Sequence, residues 1–171
     1  MWCALWTPSG DAEELKEMCI SSLQSDAYDE IFIPKYELKK RYNGSWHLET
    51  KNLFNGYVFI VTKDAEKLCG DLKKMSEFNK ILKNGNELIQ LSDGETEFLE
   101  DFLGNERTVK MSEGYIIGNN MTATKGPMMN FNGKIKKIDR HKRLATIEVF
   151  LFGRDMKINV GLEIVYKVAS A

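Results

Sequence analysis

The side chains that build metal centres are almost missing from this chain. Its 171 residues include only two histidines, His47 and His141, and three cysteines, Cys3, Cys19 and Cys69. No spacing among them assembles a four-ligand zinc set. The cysteines are odd in number and scattered over apolar stretches, so they read as small buried hydrophobes in a reducing cytosol. Phosphate-binding glycine loops are missing too: Gly85, Gly94 and Gly104 are isolated turn residues, and no Gly-x-Ser-x-Gly elbow occurs. His47 follows Trp46 on a strand, and His141 stands among Arg140, Lys142 and Arg143, a poor setting for a metal ligand. Carboxylate pairs such as Glu13/Glu14 and Glu100/Asp101 are neighbours on helices and point apart. Neither catalysis nor a cofactor nor a metal is expected. The apolar start Met1–Trp6 is too short for a signal peptide and lacks a basic flank, and no run approaches the roughly 18 apolar residues of a membrane span. The expectation is a cytoplasmic monomer with no membrane partner.

What is present suffices for a folded protein. The composition is 43% hydrophobic and 29% charged, and the length fits one large domain or two small ones. The net charge of −1 conceals an asymmetry. Residues 1–110 hold 14 Lys+Arg against 20 Asp+Glu, a net of −6, whereas residues 111–171 hold 10 against 5, a net of +5. The back part is therefore the better candidate for nucleic acid.

Alternation predicts a strand over Trp2–Thr7, with Trp2, Ala4 and Trp6 on one face. Asp11 with Glu14 starts a helix carrying Leu15, Met18, Cys19 and Leu23. A second strand is predicted over Asp29–Tyr36, closing near Pro34, and Asn43-Gly44 signals a hairpin turn. A long apolar strand over Leu53–Thr62 follows, then a helix over Asp64–Met75 and mostly extended chain over Phe78–Leu91. Ser92 with Glu95 forms a capping box ahead of a helix with Phe98, Leu99, Phe102 and Leu103. The front part therefore reads as an α+β sandwich with a largely antiparallel sheet. After Gly104 the pattern changes. A polar linker is expected over 105–113, and short strands punctuated by Gly118-Asn119-Asn120, Gly126-Pro127, Asn132-Gly133, Asp139–His141 and Gly153 predict a small β-barrel over 114–171.

Two stretches carry functional weight. Leu53-Phe54-Asn55-Gly56-Tyr57-Val58-Phe59-Ile60-Val61 is apolar on both faces. It is either a central strand covered on both sides or a strand with one aromatic face open as a protein-binding patch. Lys134-Ile135-Lys136-Lys137-Ile138-Asp139-Arg140-His141-Lys142-Arg143 holds six Lys/Arg and a single acid. It is either a solvated loop or a phosphate-contacting one, with Ile135 and Ile138 as anchors. Arg154 and Lys157 would widen that surface, and Phe131 or Phe152 would supply stacking or partner contacts if exposed.

These residues resemble a known family. Leu53-Phe54-x-Gly56-Tyr57-Val58-Phe59 is similar to the Leu-Phe-Pro-Gly-Tyr-Val signature in the N-terminal domain of NusG-type transcription factors. Gly126-Pro127-x-x-x-Phe131-x-Gly133-x-Ile135-x-x-Ile138-Asp139, continued by Leu151-Phe152-Gly153-Arg154 and Val160, resembles their C-terminal KOW domain, an SH3-like barrel. Trp2-x-Ala4-Leu5 matches as well, so the likeness spans nearly the whole chain. It implies an RNA polymerase-binding domain over 1–104, seated on the clamp helices of the largest subunit, with Phe54, Tyr57 and Phe59 in the polymerase-facing patch. It implies a partner-recruiting barrel over 114–171, with Phe131 and Phe152 at positions used for ribosomal protein S10 or the Rho terminator. Asn55 departs from the usual proline, and Glu13, Glu14 and Glu17 argue against DNA contact by the first helix. The basic hairpin is more similar to that of LoaP, a specialised antitermination branch whose barrel binds an RNA hairpin. The fold-switching RfaH branch is less similar. RNA binding is thus expected at Lys134, Lys136, Lys137, Arg140, His141, Lys142, Arg143, Arg154 and Lys157. The alternative is a general factor whose barrel docks proteins without RNA specificity.

Overall fold

Strand β1 (Trp2–Trp6) lies where alternation placed it. Cys3 and Leu5 point into a core with Val58 and Ile60 of β5 (Tyr57–Val61), Leu15 and Cys19 of helix α1 (Ala12–Ser22), and Leu68 and Leu72 of α2 (Ala65–Lys73). Both helices start on an aspartate whose carboxylate accepts a third-residue backbone N–H at 2.9 Å, Asp11 from Glu14 and Asp64 from Lys67. This computed structural model describes residues 1–76, 78 and 88–170. The chain forms two compact units, one from 1–34 with 54–98 and the other from 35–53 with 99–171.

In the first unit a four-stranded sheet has the order β2-β5-β1-β6, where β2 is Glu30–Phe32 and β6 is Ile89–Gln90. All its pairings are antiparallel. Its second face is aromatic: Trp2 meets Phe32 edge-on at 5.1 Å, Phe32 stacks on Phe59 at 5.6 Å, and Phe54 lies 5.8 Å from Phe59. Two expected strands are shortened. Pro34 has no N–H to give a ladder, so the run expected over Asp29–Tyr36 divides into β2 and a later strand. The run expected from Leu53 begins only at Tyr57 because Gly56 turns the chain at φ +77°, where the Thr7 carbonyl comes too close for any Cβ. The extended chain expected over Phe78–Leu91 lies mostly outside the described residues. Helix α3 (Asp93–Leu103) begins with the reciprocal capping box, Ser92 N–H donating to Glu95 Oε2 at 2.8 Å and Glu95 N–H to Ser92 Oγ at 3.3 Å.

The second unit holds two sheets. One runs in the order β10-β11-β12-β8-β9, from β8 (Ser112–Ile117), β9 (Asn120–Lys125), β10 (Lys134–Asp139), β11 (Leu144–Leu151) and β12 (Arg154–Val168). Strand β12 is long enough to serve twice: its first half pairs antiparallel with β11 and its second half parallel with β8. Ala145, Ile147, Val149, Leu151, Ile158, Val160 and Leu162 are buried along these strands. Residues of both edge strands, Asn120 and Met121 of β9 and Ile135 and Lys137 of β10, line a common cleft. The other sheet is β4-β3-β7. Strands β3 (Lys35–Tyr42) and β4 (Ser45–Asn52) make a hairpin of eight-residue arms around Asn43 (φ 51°) and Gly44 (φ 76°), as the Asn-Gly pair predicted. Within the segment expected as a linker, β7 (Thr108–Val109) pairs in parallel with Lys35 and Tyr36, and Val109 is fully buried. Strand β12 passes so near β3 that a side chain at Gly161 would overlap the Glu37 carbonyl.

Candidate nucleic-acid interface

The β10–β11 connection holds the densest positive charge of the chain. It closes tightly because the Asp139 carboxylate accepts the Lys142 N–H at 2.9 Å and Arg143 takes up a left-handed conformation (φ 53°). That backbone bond, with the charges of Lys142 and Lys137, holds the Asp139 carboxyl below its ordinary range. The only acid of the turn is thus committed to shaping it. Ile135 and Ile138 are half-buried, consistent with anchoring the ribbon.

Lys134, Lys136, Lys137, Arg140, His141 and Lys142 are exposed, and Arg143 is half-buried. Lys137, Arg140, His141 and Arg143 line one cleft of about 480 Å³ together with Asp139 and Glu163. Two of the cations serve internal ion pairs: Lys136 meets Glu148 at 3.1 Å, and Arg143 meets Glu163 at 3.2 Å. The outward charge therefore rests mainly on Lys134, Lys137, Arg140 and Lys142. Arg154 and Lys157 are exposed; Lys157 stands opposite Glu148, which is itself opposite Lys134, whereas Arg154 lies apart from the turn. In the β11–β12 register Arg154 stands opposite Leu151, at the far end of the ribbon from Leu144. At about 3.3 Å per residue that is on the order of 20 Å from the turn.

The expected aromatic contacts are placed differently from the charges. Phe54, Tyr57 and Phe59 are 2%, 5% and 0% exposed, so their rings belong to the packed aromatic face of the first unit. The exposed aromatic there is Trp6, tilted against Tyr57 at 6.5 Å. Phe131 is half-buried against Phe102 at 6.0 Å, and Phe152 is half-buried in the β11–β12 turn with φ 57°. Phe150 is 64% exposed and was not singled out from the sequence. The signal was there in the alternation, since Phe150 is in phase with the polar Thr146 and Glu148 while Ile147, Val149 and Leu151 point inward.

The sequence signalled the β3–β4 hairpin through Asn43-Gly44 but did not mark its cations as site residues. A cleft of about 440 Å³ is lined by Lys39, Lys40, Arg41, Trp46 and Lys51 from the hairpin and by His141, Lys142 and Asn159 from the five-stranded sheet. Lys39 reaches Glu163 at 2.5 Å, and the Arg143 guanidinium lies 3.7 Å from the Trp46 ring centroid. Lys39, with added help from Arg143, holds the Glu163 carboxyl below its ordinary range. Among the described residues no cluster of His, Cys, Asp or Glu is suited to a metal ion, and no helix is long and apolar enough to cross a membrane.

Comparison with known proteins agrees with this architecture. A family model described as the transcription termination factor NusG matches residues 1–100. A transcription termination/antitermination protein NusG from Campylobacter jejuni is 20% identical, covering 93% of this chain and 92% of its own. The protein of the same name from Rickettsia typhi is 24% identical, covering 97% of this chain and 89% of its own, and the one from Bacillus subtilis is 25% identical over 93% of both. A solved structure described as domain interaction in Thermotoga maritima NusG shares the fold, with a TM-score of 0.51 at 22% identity over 95% of this chain and 93% of its own.

Proposed function

The chain belongs to the NusG family, and from that premise we propose that it is an antitermination factor that reads nascent RNA through its basic β-sheet unit while held on RNA polymerase. The observation that carries the reading is the distribution of charge over the two compact units. Residues 1–34 with 54–98 hold 7 Lys+Arg against 15 Asp+Glu, a net of −8, and residues 35–53 with 99–171 hold 17 against 10, a net of +7. A polyanion is drawn to the second unit and repelled by the first. The domain proposed to bind polymerase is 1–104, with the clamp helices of the largest subunit as its target. Phe54, Tyr57 and Phe59 would shape that surface from beneath and Trp6 would present an exposed ring. The barrel proposed for 114–171 would place Lys134, Lys137, Arg140 and Lys142 on an RNA hairpin, in the manner of the LoaP branch.

The test is anisotropy of a fluorescein-labelled pool of RNA stem-loops, titrated with the full chain from 50 to 300 mM KCl. The parent is expected to bind with steep salt dependence, and a Lys137→Ser, Arg140→Ser, Lys142→Ser variant to lose about 2 to 3 from the log–log slope. Core RNA polymerase should be retained equally by both proteins. A triple variant that binds RNA as the parent does would refute RNA reading by this loop.

A second reading has its own support. Phe150 stands out of β11 at 64% exposure, and an aromatic projecting from a barrel is suited to a protein partner. In that reading the barrel docks ribosomal protein S10 or Rho and has no RNA preference. Retention of either by the parent and its loss in Phe150→Ser would favour it.

A further inference from the structure

The β3–β4 hairpin lies, in the sequence, inside the acidic front part, yet residues 35–53 belong to the compact unit of the barrel. Its arms carry five Lys/Arg and two Glu, and this changes the charge of that unit. We propose that the hairpin supplies a second RNA-contacting element, a groove in which Lys40, Arg41 and Lys51 line up with Lys142 along an RNA phosphate backbone. The proposal rests on the RNA-binding reading above and extends it to residues outside the barrel.

The cleft of about 440 Å³ between the hairpin and the sheet has no carboxylate among its lining residues. Glu49 stands cross-strand from Leu38, on the same face of β4 as Lys51, but lies outside the cleft lining. Two acids near the region are already engaged. Glu163 is held by Lys39 and Arg143, and Glu37 accepts the Met111 N–H at 2.9 Å and pairs with Lys110 at 3.3 Å. Among the described residues Lys40, Arg41, Lys51 and Lys142 have no carboxylate within ion-pair distance, although the charge of Lys142 also acts on Asp139. His141 lines both this groove and the turn cleft, which makes the two surfaces continuous. At the hairpin tip Tyr42 is stacked on His47 at 3.8 Å and remains 43% exposed. A cationic track beside an exposed ring is the combination that follows a nucleic-acid backbone and stacks an unpaired base. An acidic protein would use the charge but not the ring.

The same RNA stem-loop pool and salt series test it on the full chain. A Lys40→Ser, Arg41→Ser, Lys51→Ser variant is expected to lose about 2 to 3 from the log–log slope and to bind at least tenfold more weakly at 100 mM KCl. A Lys40→Arg, Lys51→Arg variant, which keeps the charge, should bind as the parent does. If the triple hairpin variant keeps the parent's affinity and slope, the groove does not touch RNA and the proposal falls. If the hairpin variant loses binding while a Lys137→Ser, Arg140→Ser variant, which keeps Lys142, does not, the groove stands and the loop reading fails. A parent that binds no RNA at 50 mM KCl overturns both.

Discussion

The guanidinium of Arg143 lies 3.7 Å from the centroid of the Trp46 indole, although 97 positions of chain separate them. Arg143 leaves the β10–β11 turn in a left-handed conformation and reaches the β4 strand while also pairing with Glu163 at 3.2 Å. A planar, delocalised cation can satisfy both partners at once, which an ammonium cannot. The expected result of a double-mutant cycle over Arg143→Ala and Trp46→Ala is a coupling of about 0.5–1 kcal/mol, measured by urea unfolding, since Trp46 is partly solvated. Additive losses would show that the ring contact contributes nothing to stability.

Glu163 predicts a pH signature. Lys39 and Arg143 depress its carboxyl below the ordinary value of 4.5. A group whose folded pKa is lowered stabilises the protein above its unfolded value and loses that contribution as pH falls through the folded one. Glu163→Gln should therefore be less stable than the parent at pH 7, and the difference in unfolding midpoint should shrink below about pH 4.5. A difference that is constant from pH 7 to pH 3 would mean the ion pairs are energetically silent.

Gly56 cannot be replaced cheaply. Its φ of +77° is unfavourable for an L side chain, and an added Cβ would sit 2.7 Å from the Thr7 carbonyl oxygen. Gly56→Ala should cost about 2 kcal/mol or more in thermal or chemical unfolding. Gly44, whose added Cβ would meet nothing within 4 Å, should tolerate the same change at a smaller cost from its φ of +76° alone.

The aromatic face of the first unit separates stability from binding. Phe59 is fully buried between Trp2, Phe32 and Phe54, so Phe59→Ala should destabilise by about 3–5 kcal/mol. Trp6 is 37% exposed and leans on Tyr57, so Trp6→Ala should destabilise less than Phe59→Ala while weakening retention of core RNA polymerase. Unchanged retention in Trp6→Ala would remove that ring from the proposed polymerase surface.

Local signals were legible wherever the physics is local. The aspartate caps at Asp11 and Asp64, the Ser92–Glu95 box and the Asn43-Gly44 turn each involve hydrogen bonds or dihedral preferences within four residues, so the residue types alone specify them. The alternation of β1 was equally readable, because its two faces meet different environments. The basic β10–β11 turn could be named because its charges are contiguous in sequence.

The long-range choices were hidden. Whether Phe54, Tyr57 and Phe59 are covered depends on Trp2 and Phe32, which pattern analysis of a single strand does not contain. The β3–β4 arms alternate charged and apolar residues too weakly to declare their length, and nothing near Lys40, Arg41 or Lys51 in the sequence indicates that Lys142 shares their groove. Residue order by itself determined the α+β class, the helix starts, the hairpin turns and the basic turn, because these follow from neighbours a few bonds apart. Only the tertiary structure decided that an arm of the acidic half joins the basic unit. That depends on a close approach at Gly161 and on the Lys39–Glu163 ion pair, interactions whose partners lie more than a hundred positions apart along the chain.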